Sequence, residues 1–93
     1  MFQSFRGRRY RVIYDRPGKN NGECQYAKPR HIKIAPGLKG LALLDTIIHE
    51  GLHACYPDLD DDAVDEAGVS LAAFLWRHGC RATIPMKPLP KRK

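Results

Sequence analysis

No uncharged apolar run in these 93 residues is long enough to cross a bilayer, so no membrane span is expected. The opening stretch carries Arg6, Arg8, Arg9 and Arg11 and has no apolar core, which is not the pattern of a secretory leader. A cytoplasmic location is therefore expected. Cysteine is scarce too: Cys24, Cys55 and Cys80 are an odd, widely spaced set with no Cys-x-x-Cys pair. That argues against both a disulfide framework and a thiolate zinc site, and for reduced thiols. Acidic residues are rare outside one stretch, where Asp58, Asp60, Asp61, Asp62, Asp65 and Glu66 hold six of the chain's ten. The rest of the chain is basic, and the net charge is +6. Such a balance suits contact with nucleic acid and equally a solvated surface, so it does not decide a function.

The length fits one domain with a modest core, and small domains often rely on a staple such as a metal. Residues 8–14 alternate around Tyr10, Val12 and Tyr14 and predict a strand. Residues 16–22 are dense in turn formers and predict a loop. Residues 23–27 predict a short second strand. Residues 31–35 alternate polar and apolar side chains and predict an edge strand guarded by Lys33. Beyond Pro36-Gly37 the period lengthens to that of a helix, with Leu41, Leu44, Ile48, Leu52 and Cys55 on one stripe, stopped by Pro57. The acids at 58–62 fit the first turn of a second helix. Its apolar face would carry Val64, Ala67, Gly68, Leu71, Phe74 and Leu75, with Gly79 as its stop. Residues 82–84 suit a last short strand, and 85–93 a disordered basic Pro/Lys tail.

One pattern points to chemistry. His49-Glu50-Gly51-Leu52-His53 places two imidazoles four residues apart, about 40° round a helix, so both can address one zinc ion. Glu50 lies about 100° from His49, placed to act as a base toward water without being a ligand itself. The pair sits beside the apolar stripe and shares its strip with Ala42, Asp45, Thr46 and Tyr56. A chance match on a surface helix is the bland alternative, and the helical context weighs against it.

A catalytic zinc site needs a third protein ligand. If residues 56–59 form a tight connection, antiparallel helices bring His53 level with Asp62 and His49 level with Glu66. Glu66 has the longer reach and is the first choice, with Asp62 and Asp65 as alternatives. Small Ser70 and Ala73 on the same face would let the helices approach closely.

Residues Leu44-Asp-Thr-Ile-Ile-His-Glu-Gly-Leu-His-Ala-Cys55, with Ala63-Val-Asp-Glu-Ala67 and Phe74-Leu-Trp-Arg77, resemble the gluzincin branch of zinc metallopeptidases. The compact layout is similar to the minigluzincins and the small zincin-like proteins of phage and bacteria. The resemblance covers about half the chain. It implies zinc held by His49, His53 and Glu66, and Glu50 as general base for peptide hydrolysis. The connection from His53 to Glu66 is shorter than in large gluzincins, and there is no room for the helix that usually precedes the sheet.

The fold expected is therefore α+β: a small antiparallel sheet of about three strands, the metal helix and a second antiparallel helix, over residues 1–84. The expected activity is zinc-dependent peptide hydrolysis, with substrate added as a strand along residues 31–35. The rival readings are a DNA-associated protease resembling the SprT family and a zinc-stabilised module without activity. The partners expected are a peptide or protein substrate, weak non-specific nucleic-acid contact, and a second copy of the chain over a thinly covered core. Among single residues, Tyr56 suits packing at the helix end better than oxyanion stabilisation. His31 and His78 read as surface or structural, Trp76 as core, and Cys24 as a buried thiol rather than a cap on the zinc.

Overall fold

The computed structural model describes residues 1–18 and 20–84. The expected tail, 85–93, lies outside the described residues. Four strands precede two helices: β1 (Phe2–Phe5), β2 (Arg8–Tyr14), β3 (Gly22–Gln25), β4 (His31–Ile34), α1 (Gly40–Cys55) and α2 (Asp61–Arg77). The class is α+β, and no described helix is long and apolar enough to cross a membrane.

The sheet departs from the expected three antiparallel strands. Among the described residues it has four, in the order β1-β2-β4-β3, and β2 pairs with β4 in parallel. The extra strand exists because Arg6 (φ 51°) and Gly7 (φ 81°) both take left-handed backbone and close a two-residue hairpin between β1 and β2. An arginine at that angle hides the turn from composition. The parallel pair follows from β3, which runs to the outside of β4 and leaves β4 between β2 and β3. Residues 31–34 are thus an interior strand, not the expected edge. Lys33 is not an edge guard but stands between Ile13 and Glu23 in register. Residues 82–84 form no strand; Ala82 and Ile84 pack on the core as irregular chain.

Alternation sends Tyr10, Ile32 and Ile34 to the helical side of the sheet, where they meet Leu43 and Ala54 of α1. α1 lies against this face, and among the described elements α2 packs only on α1. The face of α1 turned inward carries Leu43, Thr46, Glu50 and Ala54. A carboxylate is therefore set under the sheet among apolar neighbours.

α2 is capped as its sequence predicts. Oδ1 of Asp60 accepts from the Ala63 amide at 2.8 Å, and Asp61 and Asp62 sit in the first turn. At the other end Gly79 (φ 86°) lets the Cys80 and Gly79 amides return to the carbonyls of Leu75 and Trp76, both at 3.0 Å. Val64, Gly68 and Ala72 are its buried residues, a stripe of period four facing α1. Among the described residues no second layer covers α2, and Val69, Leu71 and Phe74 are exposed.

Candidate metal centre

The connection between the helices turns at Pro57, and the facing pairs are symmetric about it. His53 stands opposite Asp61 and His49 opposite Asp65. This register is one residue short of the one expected, and one residue turns a helix by about 100°. Asp61 and Asp65 thereby take the places foreseen for Asp62 and Glu66. Glu66 is exposed, a quarter turn away from the face that Asp61 and Asp65 share. The small residues at the contact are Gly68 and Ala72 rather than Ser70 and Ala73, which are exposed.

The two histidines form the centre of the site. Their Nε2 atoms face each other at 3.1 Å, with ring centroids 4.7 Å apart and planes at 73°. Each Nδ1 is partnered from behind. Nδ1 of His49 lies 3.2 Å from Oδ1 of Asp65, and Nδ1 of His53 lies 3.1 Å from the hydroxyl of Tyr26. When both Nδ1 atoms carry their protons toward these partners, two Nε2 lone pairs converge on one gap. Lone pairs so close repel, and either a shared cation or an Nε2–H donated from one ring to the other relieves them. Two zinc–nitrogen bonds at a tetrahedral angle would set the nitrogens about 3.3 Å apart, close to the spacing found. Burial, with the neighbouring His49, pushes the pKa of His53 down against the pull of Asp61 and Asp65. The neutral ring that a metal requires is favoured.

The histidine pair fits zinc, while the acids around it stand back from the gap. Among the described residues no three His, Cys, Asp or Glu side chains converge as a ligand set. The nearest acid on the Nε2 side is Asp61, whose Oδ1 is 3.8 Å from Nε2 of His53. Its side chain is 89 % exposed. Asp65 approaches from the Nδ1 side, the position of a group that orients a ligand.

Glu50 is 5 % exposed and lies where α1 meets the edge strand β3. Strand and helix pass so closely that a Cβ on Gly22 would stand 2.8 Å from Oε2 and 2.9 Å from Cγ of Glu50. Burial pushes the Glu50 carboxyl up to about 7, and the charges of Glu23 and Asp61 push the same way. A carboxyl poised there can both take and give a proton near neutral pH. Beside Glu50 and His49 is a cavity of about 130 Å³ walled by Asn21, Gly22, Asp45 and Thr46. It has room for several waters.

Tyr26 is the residue the sequence did not reveal. It follows β3 and is separated from His53 by 27 positions, and no spacing rule links them. Burial, then the charges around it, push its pKa up, so it remains a phenol. Tyr56 is exposed at the end of α1, beneath the Arg6 guanidinium at 5.4 Å. The same arginine donates to the Cys55 carbonyl at 3.0 Å, tying the β1–β2 hairpin to the helix end. Burial and the charge of Glu50 push the Cys24 thiol up to about 12, so it is no thiolate. His31 holds Glu23 at 2.9 Å and is structural.

Compared with known proteins, the chain matches no family model, no curated protein and no solved structure.

Proposed function

We propose that this chain is a zinc-dependent peptidase in which His49 and His53 bind the metal and Glu50 is the general base. The observation that carries the reading is the pair of Nε2 atoms 3.1 Å apart with both Nδ1 atoms partnered, one residue from a buried carboxyl. Asp61 is the third ligand on this reading, in place of the Glu66 that the helix spacing and the gluzincin resemblance suggest. Asp65 and Tyr26 fix the two imidazole planes.

A zinc ion supplies Lewis acidity, which polarises a carbonyl and acidifies water. Glu50 takes the proton of the attacking water and returns it to the departing amine, a role served by a carboxyl held near neutrality. The substrate lies along β3 (Gly22–Gln25), the sheet edge beside α1, and adds main-chain hydrogen bonds there.

The test compares wild type with Glu50→Gln on an unfolded protein substrate, zinc-loaded, with and without single-stranded DNA. The expected result is cleavage without DNA, and in Glu50→Gln full zinc content with a rate lower by about 10²–10⁴. Cleavage only with DNA favours the SprT-like reading. No cleavage in either case, with zinc bound, leaves a zinc-stabilised module.

A further inference from the structure

The face of the sheet turned away from α1 gathers basic residues that the sequence scatters. Paired residues on neighbouring strands share a face, so Phe2 and Arg11 lie together, as do Ser4 and Arg9 on one side and Arg11 and His31 on the other. At one end of this face the turn before β4 adds Lys28, Pro29 and Arg30. That turn is held by Gln25, whose Nε2 donates to the carbonyls of Ala27 at 3.1 Å and Pro29 at 2.7 Å. The Arg11 amide donates to the Arg30 carbonyl at 3.1 Å and locks the turn against β2.

The result is a groove of about 640 Å³ lined by Phe2, Arg9, Arg11, Lys28, Pro29 and Arg30. Among the described residues its walls hold four cations and no acid. Among the described residues none of the four has an ion-pair partner. Its one aromatic ring, Phe2, is 56 % exposed, and the Arg9 guanidinium lies over it at 4.2 Å.

We propose that this groove binds single-stranded nucleic acid, on the side of the sheet opposite the histidine pair. Charge complementarity selects a polyanion. The ring and the planar guanidinium select one with stackable bases over an acidic peptide or a lipid surface, because an exposed Phe–Arg stack is extended by inserting or adding a base. A groove on a sheet face suits a flexible single strand. Duplex readout calls instead for a helix or ribbon that enters the major groove. This inference is independent of the metal site and stands or falls without it.

The experiment is fluorescence anisotropy of a labelled oligothymidylate of about 12 nucleotides, a length within single-strand site sizes, against the full chain. Arg11→Glu/Arg30→Glu is compared with Arg16→Glu/Arg77→Glu, an equal change of charge outside the groove. Phe2→Ala is compared with Phe2→Trp, and circular dichroism checks that each variant folds. The expected result is a loss of at least about tenfold more affinity in the groove variant than in the control, and weaker binding with a shallower salt slope. Phe2→Ala should lose about fivefold or more, and Phe2→Trp should retain affinity. If the groove variant does not fold, the two Phe2 variants decide. Equal losses in groove and control variants overturn the proposal, as does an unchanged Phe2→Ala. So does displacement of the oligonucleotide by polyglutamate or by phosphatidylserine vesicles at equal charge.

Discussion

The hydroxyl of Tyr26 stands 3.1 Å from Nδ1 of His53, the ring nitrogen that faces away from His49. A phenol there fixes the plane of the imidazole, as the carboxylate of Asp65 does for His49 at 3.2 Å. On the zinc reading, removing such a partner would weaken metal binding without removing a ligand. Tyr26→Phe and Asp65→Asn are each expected to lower zinc affinity by about 10- to 100-fold, read by competition with a chromogenic chelator. Unchanged affinity in both would mean that neither residue orients the pair.

The third ligand separates Asp61 from Glu66. Oδ1 of Asp61 is 3.8 Å from Nε2 of His53, whereas Glu66 is turned out to solvent. Asp61→Ala should lose zinc affinity beyond the loss caused by Asp65→Asn, and Glu66→Ala should bind as wild type. The reverse order in the same chelator assay would restore Glu66 and would require α2 to rotate about its axis when zinc binds.

Much of this architecture is legible in the sequence, and the failures have physical causes. Strand β2 follows from the alternation of Tyr10, Val12 and Tyr14, α2 from its period and caps, and α1 from its period, although its buried face runs through Leu43, Thr46, Glu50 and Ala54 and leaves Leu41 exposed. The Asp60 cap and the Gly79 stop are local chemistry, written where they act. β1 is hidden because its hairpin turn uses Arg6 in left-handed backbone instead of the Asn-Gly or Asp-Gly that marks such turns. The parallel pairing of β2 with β4 is non-local, and nothing in residues 31–34 distinguishes an interior strand from an edge. At the site, His49, Glu50 and His53 are read from spacing alone. The acids facing them depend on the turn at Pro57, where an error of one residue exchanges Asp61 and Asp65 for Asp62 and Glu66. Tyr26 has no signal, since it reaches His53 only through the fold.

Gly22 is required by contact. A methyl group there would meet Oε2 of Glu50 at 2.8 Å, its Cγ at 2.9 Å and Cγ2 of Thr46 at 3.0 Å. Glu50 and Thr46 are both buried. Gly22→Ala should therefore destabilise the protein by about 1–3 kcal/mol in chemical denaturation, by separating β3 from α1. Gly37→Ala, where nothing lies within 4 Å of the added carbon, is the matched control and should change stability far less.

Glu23 gives stability a dependence on acid. Its hydrogen bond with His31 at 2.9 Å, then the Gly18 amide at 3.2 Å, hold its carboxyl below the usual carboxylate range. A carboxyl lowered on folding stabilises the folded state fully above its unfolded pKa, and that contribution is lost as pH falls through the folded value. The melting temperature of wild type should exceed that of Glu23→Gln at neutral pH, and the gap should close on acidification. A gap that persisted well below the carboxylate range would contradict the role given to this bond.

The central claim is that His49 and His53 share one zinc ion, and metal content measures it most directly. Wild-type protein, purified without chelator and dialysed, should hold about one zinc per chain by inductively coupled plasma mass spectrometry, released as the solution is brought below about pH 6. His49→Ala/His53→Ala should hold none and should melt at a lower temperature than zinc-loaded wild type. Full zinc content in the double variant, or a wild type that takes up no zinc when it is supplied, would contradict the account.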